Sequence, residues 1–261
     1  MERHRTSSGV EIAFDDQGSG PPLVLVHGIT ENRHTWDPLT DALVVDHRVA
    51  RLDLRGHGES DSVAPYDLLT LASDLHEVLT ALGIGPDAVL IGHSLGATVV
   101  SAYAASFPCR AVVNVDQPLD LGAFQEALQE LAPMLRGGPE SCAQAVTMVL
   151  DAMSGPLAGA ELARITALRR ADQEVVLGVW DLVIDTPREE LDAMVSALAS
   201  AVTVPYLSLH GIDPGPEYPS FLTGLVPGAL VEVWPEHGHY PHLIDPDRFL
   251  ARVREFEASL S

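Results

Sequence analysis

The sequence predicts an α/β fold, a mostly parallel sheet with helices on both faces and a helical insertion in one connection, and three observations predict it. Short apolar runs alternate with segments of helical apolar spacing, the order of a chain whose strands lie parallel and whose helices cross back between them. The runs themselves, such as Leu23-Val24-Leu25-Val26 and Ala88-Val89-Leu90-Ile91, are apolar at every position, as strands are when both faces of their sheet are covered. One interval between core strands, Pro118–Val202, is 85 residues long and helical in pattern throughout, too long for a simple crossover.

In chain order, Val10–Phe14 and its neighbours open as an antiparallel edge. Pro21–Val26 is a buried strand that ends in His27-Gly28-Ile29-Thr30, and His47–Leu52 is the next parallel strand. Leu68–Leu82 carries helical apolar spacing. The strand Ala88–Ile91 runs into Gly92-His93-Ser94-Leu95-Gly96 and then into the helical stretch Ala97–Ala105. Ala111–Val115, Pro205–Leu209 and Leu230–Trp234 complete the strands. The long interval is broken by Gly137-Gly138-Pro139, Gly155-Pro156 and Thr186-Pro187, so it reads as several helices. The expected organisation is one core domain, residues 1–117 and 203–261, with residues 118–202 inserted as a helical cap over its functional face.

The strand, sharp turn and helix around Gly92–Gly96 carry the chemistry. A G-x-S-x-G turn this tight leaves the hydroxyl of Ser94 exposed at the strand tip, and its glycines remove side chains that would clash. The first N–H groups of the following helix are free beside it, so the Leu95 amide is the first oxyanion donor, and the Ile29 amide after His27-Gly28 is the second. A serine nucleophile needs a base, and Pro235-Glu236-His237-Gly238-His239-Tyr240-Pro241-His242 offers three histidines for it. Two aspartates stand at strand ends where an acid belongs, Asp116 after Ala111–Val115 and Asp213 in His210-Gly211-Ile212-Asp213-Pro214-Gly215. His27 is suited to bracing its loop and His93 to packing behind the nucleophile.

The order His-Gly, then Gly-x-Ser-x-Gly, then a late Gly-His resembles the α/β-hydrolase superfamily over nearly the whole chain. Arg51-Leu52-Asp53-Leu54-Arg55-Gly56-His57-Gly58-Glu59-Ser60-Asp61 is similar to that family's turn after its fourth strand, a shaping loop without a catalytic part. The resemblance implies an eight-stranded sheet with an inserted cap, and it makes His239, directly after Gly238, the base. The family's usual acid follows the later strand, as glycine, two residues, then aspartate. Here only Ile212 separates Gly211 from Asp213, and the short loop resembles that of haloalkane dehalogenases and coelenterazine luciferases, in which the acid lies after the earlier strand; zearalenone-type lactonases are similar in using that earlier site. Asp116 is therefore the expected acid and Asp213 the alternative, with an ordinary turn role for the loser.

The resemblance implies a serine esterase or lactonase acting on a small-molecule substrate, with no cofactor and no metal. The same triad leaves open an amidase, a C–C bond hydrolase and a slow-turnover small-molecule receptor. Gly28, His93 and Trp180 are the candidate substrate-facing residues; Glu31, Asn32, Arg33, His34 and Trp36 are further candidates at the entrance, and Trp36 is equally suited to anchoring the helix that begins there. Trp180 serves equally well as the insertion's own core, and for the apolar residues around it, Met148, Met153 and Leu182 included, that core role is the expected one.

Composition narrows the partners. At 261 residues and 46% hydrophobic content the chain suits a single α/β domain. The formal net charge is −22 and every basic residue is arginine, so nucleic acid would be repelled. Cys109 and Cys142 show no C-x-x-C spacing, and both read as buried free thiols. The first residues lack an apolar signal core and no stretch reaches about 18 continuous apolar residues, so a cytoplasmic chain without a membrane span is expected. Whether it forms a homodimer is left open.

Overall fold

The computed structural model describes residues 1–260. Eight strands form one sheet: β1 (Glu2–Arg5), β2 (Glu11–Gly18), β3 (Pro22–Val26), β4 (Arg48–Leu52), β5 (Val89–His93), β6 (Ala111–Val115), β7 (Tyr206–His210) and β8 (Leu230–Val233). Their spatial order is β1-β2-β4-β3-β5-β6-β7-β8. The first three pairs in that order are antiparallel, antiparallel and parallel, and every later pair is parallel.

The apolar runs form this sheet because they are buried on both sides. Leu23 and Leu25 of β3 face one apolar cluster while Val24 and Val26 face the other, and Val89 and Ile91 are divided from Leu90 in the same way in β5. On one face α1 (Asp37–Leu43) and α11 (Pro246–Ala258) pack over Trp36, Trp234 and Phe249. On the other lie α2 (Leu68–Ala81) and α3 (Leu95–Ser106). Helix α3 is buried almost all round, which explains why its sequence lacks a polar stripe. Between β6 and β7 run five helices, α4 (Gly122–Leu135), α5 (Pro139–Met153), α6 (Gly159–Leu168), α7 (Gln173–Asp185) and α8 (Arg188–Ser200). The remaining helices are α9 (Tyr218–Leu225) and the single turn α10 (Pro241–Ile244).

The chain leaves β3 toward β4 on one side and returns to β5 on the other. The strand order therefore reverses between β3 and β5, and a crevice opens there at the carboxyl ends of the strands. The Arg51–Asp61 segment supports this edge through buried ion pairs. The Asp53 carboxylate accepts from the Arg33 amide at 2.7 Å, the Arg33 guanidinium at 2.5 Å and the Glu59 amide at 2.8 Å. Gly58 has a positive φ, and a Cβ there would overlap the Asp53 carboxylate. The Arg55 guanidinium makes two 2.7 Å bonds to Asp74. Cys109 and Cys142 are both buried and free, and burial pushes the Cys109 thiol up to about 12. No helix among the described residues is long and apolar enough to cross a membrane.

Candidate active site

Backbone strain marks one edge of the sheet. Among the described residues four other than glycine have positive φ: Thr30 after β3, Ser94 after β5, Asp116 after β6 and Glu236 after β8. Each costs free energy that the surrounding packing must offset, and such residues cluster at functional sites. Ser94 has φ 51° and ψ −120° at the start of α3. The glycines beside it are sterically required. A Cβ at Gly92 would overlap the Gly96 carbonyl, and one at Gly96 would overlap the Val26 carbonyl and come within 2.6 Å of that of His27. The Leu95 amide opens α3 next to Ser94, and the Ile29 amide follows β3 across the crevice; neither has a hydrogen-bond partner among the described residues.

Asp116 and His239 meet although 123 residues separate them. His239 Nδ1–H donates to Asp116 Oδ2 at 2.6 Å. The other oxygen, Oδ1, accepts from the amides of Gly211 at 2.7 Å and Ile212 at 3.0 Å. Burial pushes the Asp116 carboxyl up, but His239 and these donors outweigh it and hold the group below its ordinary value. Nε2 of His239 has no hydrogen-bond partner among the described residues. Asp213 lies outside this contact: it is exposed, and its Oδ1 accepts from the Gly215 amide at 2.8 Å within its own turn.

The other histidines take separate places. His27 Nδ1–H donates to the Gly28 carbonyl at 2.7 Å and its Nε2 accepts from the Leu54 amide at 3.0 Å, so it joins two loops. His93 Nε2–H donates to the His239 carbonyl at 2.8 Å, from behind Ser94. His237 donates from Nδ1 to the Pro235 carbonyl at the surface. His242 is buried between Trp36 and His93, and burial holds it well below its ordinary value. His210, buried beside Asp116, is lowered to about 4 chiefly by burial.

Gly28 faces inward, where a Cβ would lie 3.1 Å from His93 Nδ1 and 3.3 Å from Ser94 Cβ. Trp180 is buried in the main apolar cluster, edge-on to Phe124 at 5.8 Å. Of the residues expected at the entrance, Glu31, Arg33 and Trp36 are buried, Trp36 packing with Leu39 and Leu43 as an anchor of the helix that follows, while Asn32 and His34 are partly exposed. Sequence reasoning missed two contacts. The Tyr240 hydroxyl donates to Glu31 Oε1 at 2.7 Å, and the His239 amide donates to the Met153 carbonyl at 2.8 Å. Both join segments remote in sequence, and no local pattern marks them. A cavity of about 530 Å³ lies between α5, α6 and Thr30, lined by Val146, Leu150, Leu162, Thr166 and Arg169 among others. Among the described residues no group of three or more His, Cys, Asp or Glu side chains is arranged to hold a metal ion.

A strained serine between β5 and α3, on an eight-stranded sheet of this order, is the architecture of a fold family whose pattern matches residues 21–156, more than half of the sequence. The chain belongs to the α/β hydrolase fold family. It is similar to an uncharacterized protein of Mycobacterium tuberculosis, 26% identical over 277 residues, which span 97% of this chain and 80% of the relative. Among solved structures it is similar to a thermophilic esterase from Thermogutta terrifontis, 26% identical with a TM-score of 0.76, covering 100% of this chain and 99% of the other. An esterase from Rhodococcus sp. ECU1013 is 27% identical at the same TM-score and the same coverage.

Proposed function

We propose that this chain is a serine hydrolase that cleaves a carboxylic ester or lactone of a small, largely apolar substrate through an acyl-enzyme. The observation that carries the reading is the His239–Asp116 hydrogen bond on the same sheet edge as the strained Ser94, with Nε2 of His239 left unpartnered. With Nδ1–H donated to Asp116, the lone pair of Nε2 is free to accept a proton.

The Ser94 oxygen attacks the carbonyl carbon and its proton passes to His239 Nε2. The Asp116 carboxylate stabilises the imidazolium that results, while the amides of Leu95 and Ile29 hold the oxyanion. His239 then protonates the leaving alkoxide, and the Ser94 ester remains. A water molecule gives a proton to His239 and attacks the acyl carbon; the bond to the Ser94 oxygen then breaks, His239 returns the proton to that oxygen, and the acid is released. The steps need no cofactor. The five inserted helices serve as the cap. The likeness to two esterases of solved structure supports the ester class.

Ser94→Ala tests this directly. Turnover of a short-chain nitrophenyl ester falls by roughly 10³-fold or more, as for other triad knockouts. Wild type takes up one fluorophosphonate per chain and the variant none. An alanine variant that keeps most of its activity, free of contaminating esterase, sinks the serine mechanism.

A further inference from the structure

Glu31 is a buried acid that these steps do not use. Its side chain is 1% exposed. Burial pushes the carboxyl up, but the His93 ring and the Tyr240 hydroxyl outweigh burial and hold it well below its usual range. Such a group is costly unless donors fill its oxygens. Oε1 accepts from the Tyr240 hydroxyl at 2.7 Å. Oε2 accepts from the Thr35 hydroxyl at 3.2 Å and lies 3.6 Å from His93 Nδ1. The Tyr240 oxygen accepts in turn from Arg169 Nη2 at 3.2 Å, and Arg169 Nη1 donates to Asp151 at 3.2 Å.

Glu31 and two of its neighbours, Tyr240 and His93, belong to segments that each carry one proposed reacting group. Glu31 lies two residues after Ile29, Tyr240 directly follows His239, and His93 directly precedes Ser94. The His93 bond to the His239 carbonyl closes the circuit between elbow and base loop. At the centre a Cβ on Gly28 would stand 3.1 Å from His93 Nδ1, 3.3 Å from Glu31 Oε2 and 3.3 Å from Ser94 Cβ, so the segments meet without slack.

Resting on the ester-hydrolase reading, we propose that Glu31 is a positioning residue: its hydrogen bond from Tyr240 sets the spacing between the base loop and the oxyanion loop, and Arg169 ties that bond to the inserted helices. A displacement of about 1 Å in such a constellation costs on the order of 10²-fold in rate, so a bond that touches no substrate still acts on kcat.

The test measures kcat and KM per fluorophosphonate-titrated site, which removes any unfolded fraction from the comparison. Tyr240→Phe deletes only the hydroxyl and lowers kcat roughly tenfold, with KM within about threefold. Glu31→Ala lowers kcat at least as far, and the double variant is no slower than the worse single one, because the two residues act as one unit. Glu31→Gln keeps an amide oxygen for Tyr240 and returns kcat to within about threefold of wild type. Where Glu31→Ala does not fold, Tyr240→Phe and Glu31→Gln decide. An unchanged kcat per titrated site in Tyr240→Phe, or losses that multiply in the double variant, overturns the proposal. A wild-type chain that takes no label at Ser94 overturns the ester-hydrolase reading and this proposal with it, an outcome that the variants cannot mimic.

Discussion

Replacing Asp116 by Asn tests the acid through the geometry of its two oxygens. The Gly211 and Ile212 amides both donate to Oδ1, so the amide oxygen of the substituted side chain is held there and its NH₂ is turned toward His239. Reversing the amide would set its NH₂ against two backbone donors. The NH₂ therefore meets His239 Nδ1 where the carboxylate stood at 2.6 Å, and the ring must present a lone pair at Nδ1. Its proton then sits on Nε2, the nitrogen that should accept from Ser94. Recovering the working tautomer forfeits one hydrogen bond and buries two opposed donors, about 4–5 kcal/mol in all. At about 1.4 kcal/mol per tenfold, kcat falls by roughly 10³- to 10⁴-fold, near the loss for the same change in a serine protease. The assay is kcat per titrated Ser94 with one nitrophenyl ester, beside a melting curve. A loss under tenfold, or a larger loss in Asp213→Asn, refutes the reasoning.

Asp213→Asn keeps the turn oxygen that accepts from Gly215, so kcat stays within about tenfold of wild type under the same assay. Trp180→Ala opens a hole beside Phe124 and costs about 3–5 kcal/mol in urea unfolding; a changed preference among ester sizes at unchanged stability would instead make Trp180 a pocket wall. His210 gives a pH effect with a definite sign. Its folded value of about 4 lies below the ordinary 6.5, so between those limits the unfolded chain binds more protons and the native state loses stability as pH falls. Relative to His210→Gln, wild type loses on the order of 2 kcal/mol more between pH 7 and pH 5, and equal losses in urea titrations would show that this imidazole is not held neutral.

The central strands were legible because burial on both faces leaves nothing but apolar residues in β3, and almost nothing else in β5 and β6. Strand β1 was not, since Glu2-Arg3-His4-Arg5 is a polar edge held only by pairing with β2. Strand β2 extends past Phe14 through Asp15-Asp16-Gln17, polar residues kept in the sheet by ion pairs with Arg33 and Arg48. The elbow was readable from sterics alone, because glycine is what fits where backbone carbonyls crowd positions 92 and 96. The two strand-end aspartates could not be separated by sterics, and the length of the Gly211–Gly215 loop was the one difference between them. Glu31 and Tyr240 were illegible as a pair: a hydrogen bond across 209 residues leaves no periodicity behind.

Gly155, between α5 and α6, and Gly238, just before His239, both have left-handed backbones that pass each other with no room for a side chain: a Cβ on either would stand 2.7 Å from the other's Cα. This pair of bare backbones works as a spacer of fixed thickness between the inserted helices and the sheet. Beside it the Met153 carbonyl reaches the His239 amide. A side chain at either glycine would wedge α5 away and carry that carbonyl out of reach, so the standoff of the inserted helices from the His239 segment is set by the absence of two side chains.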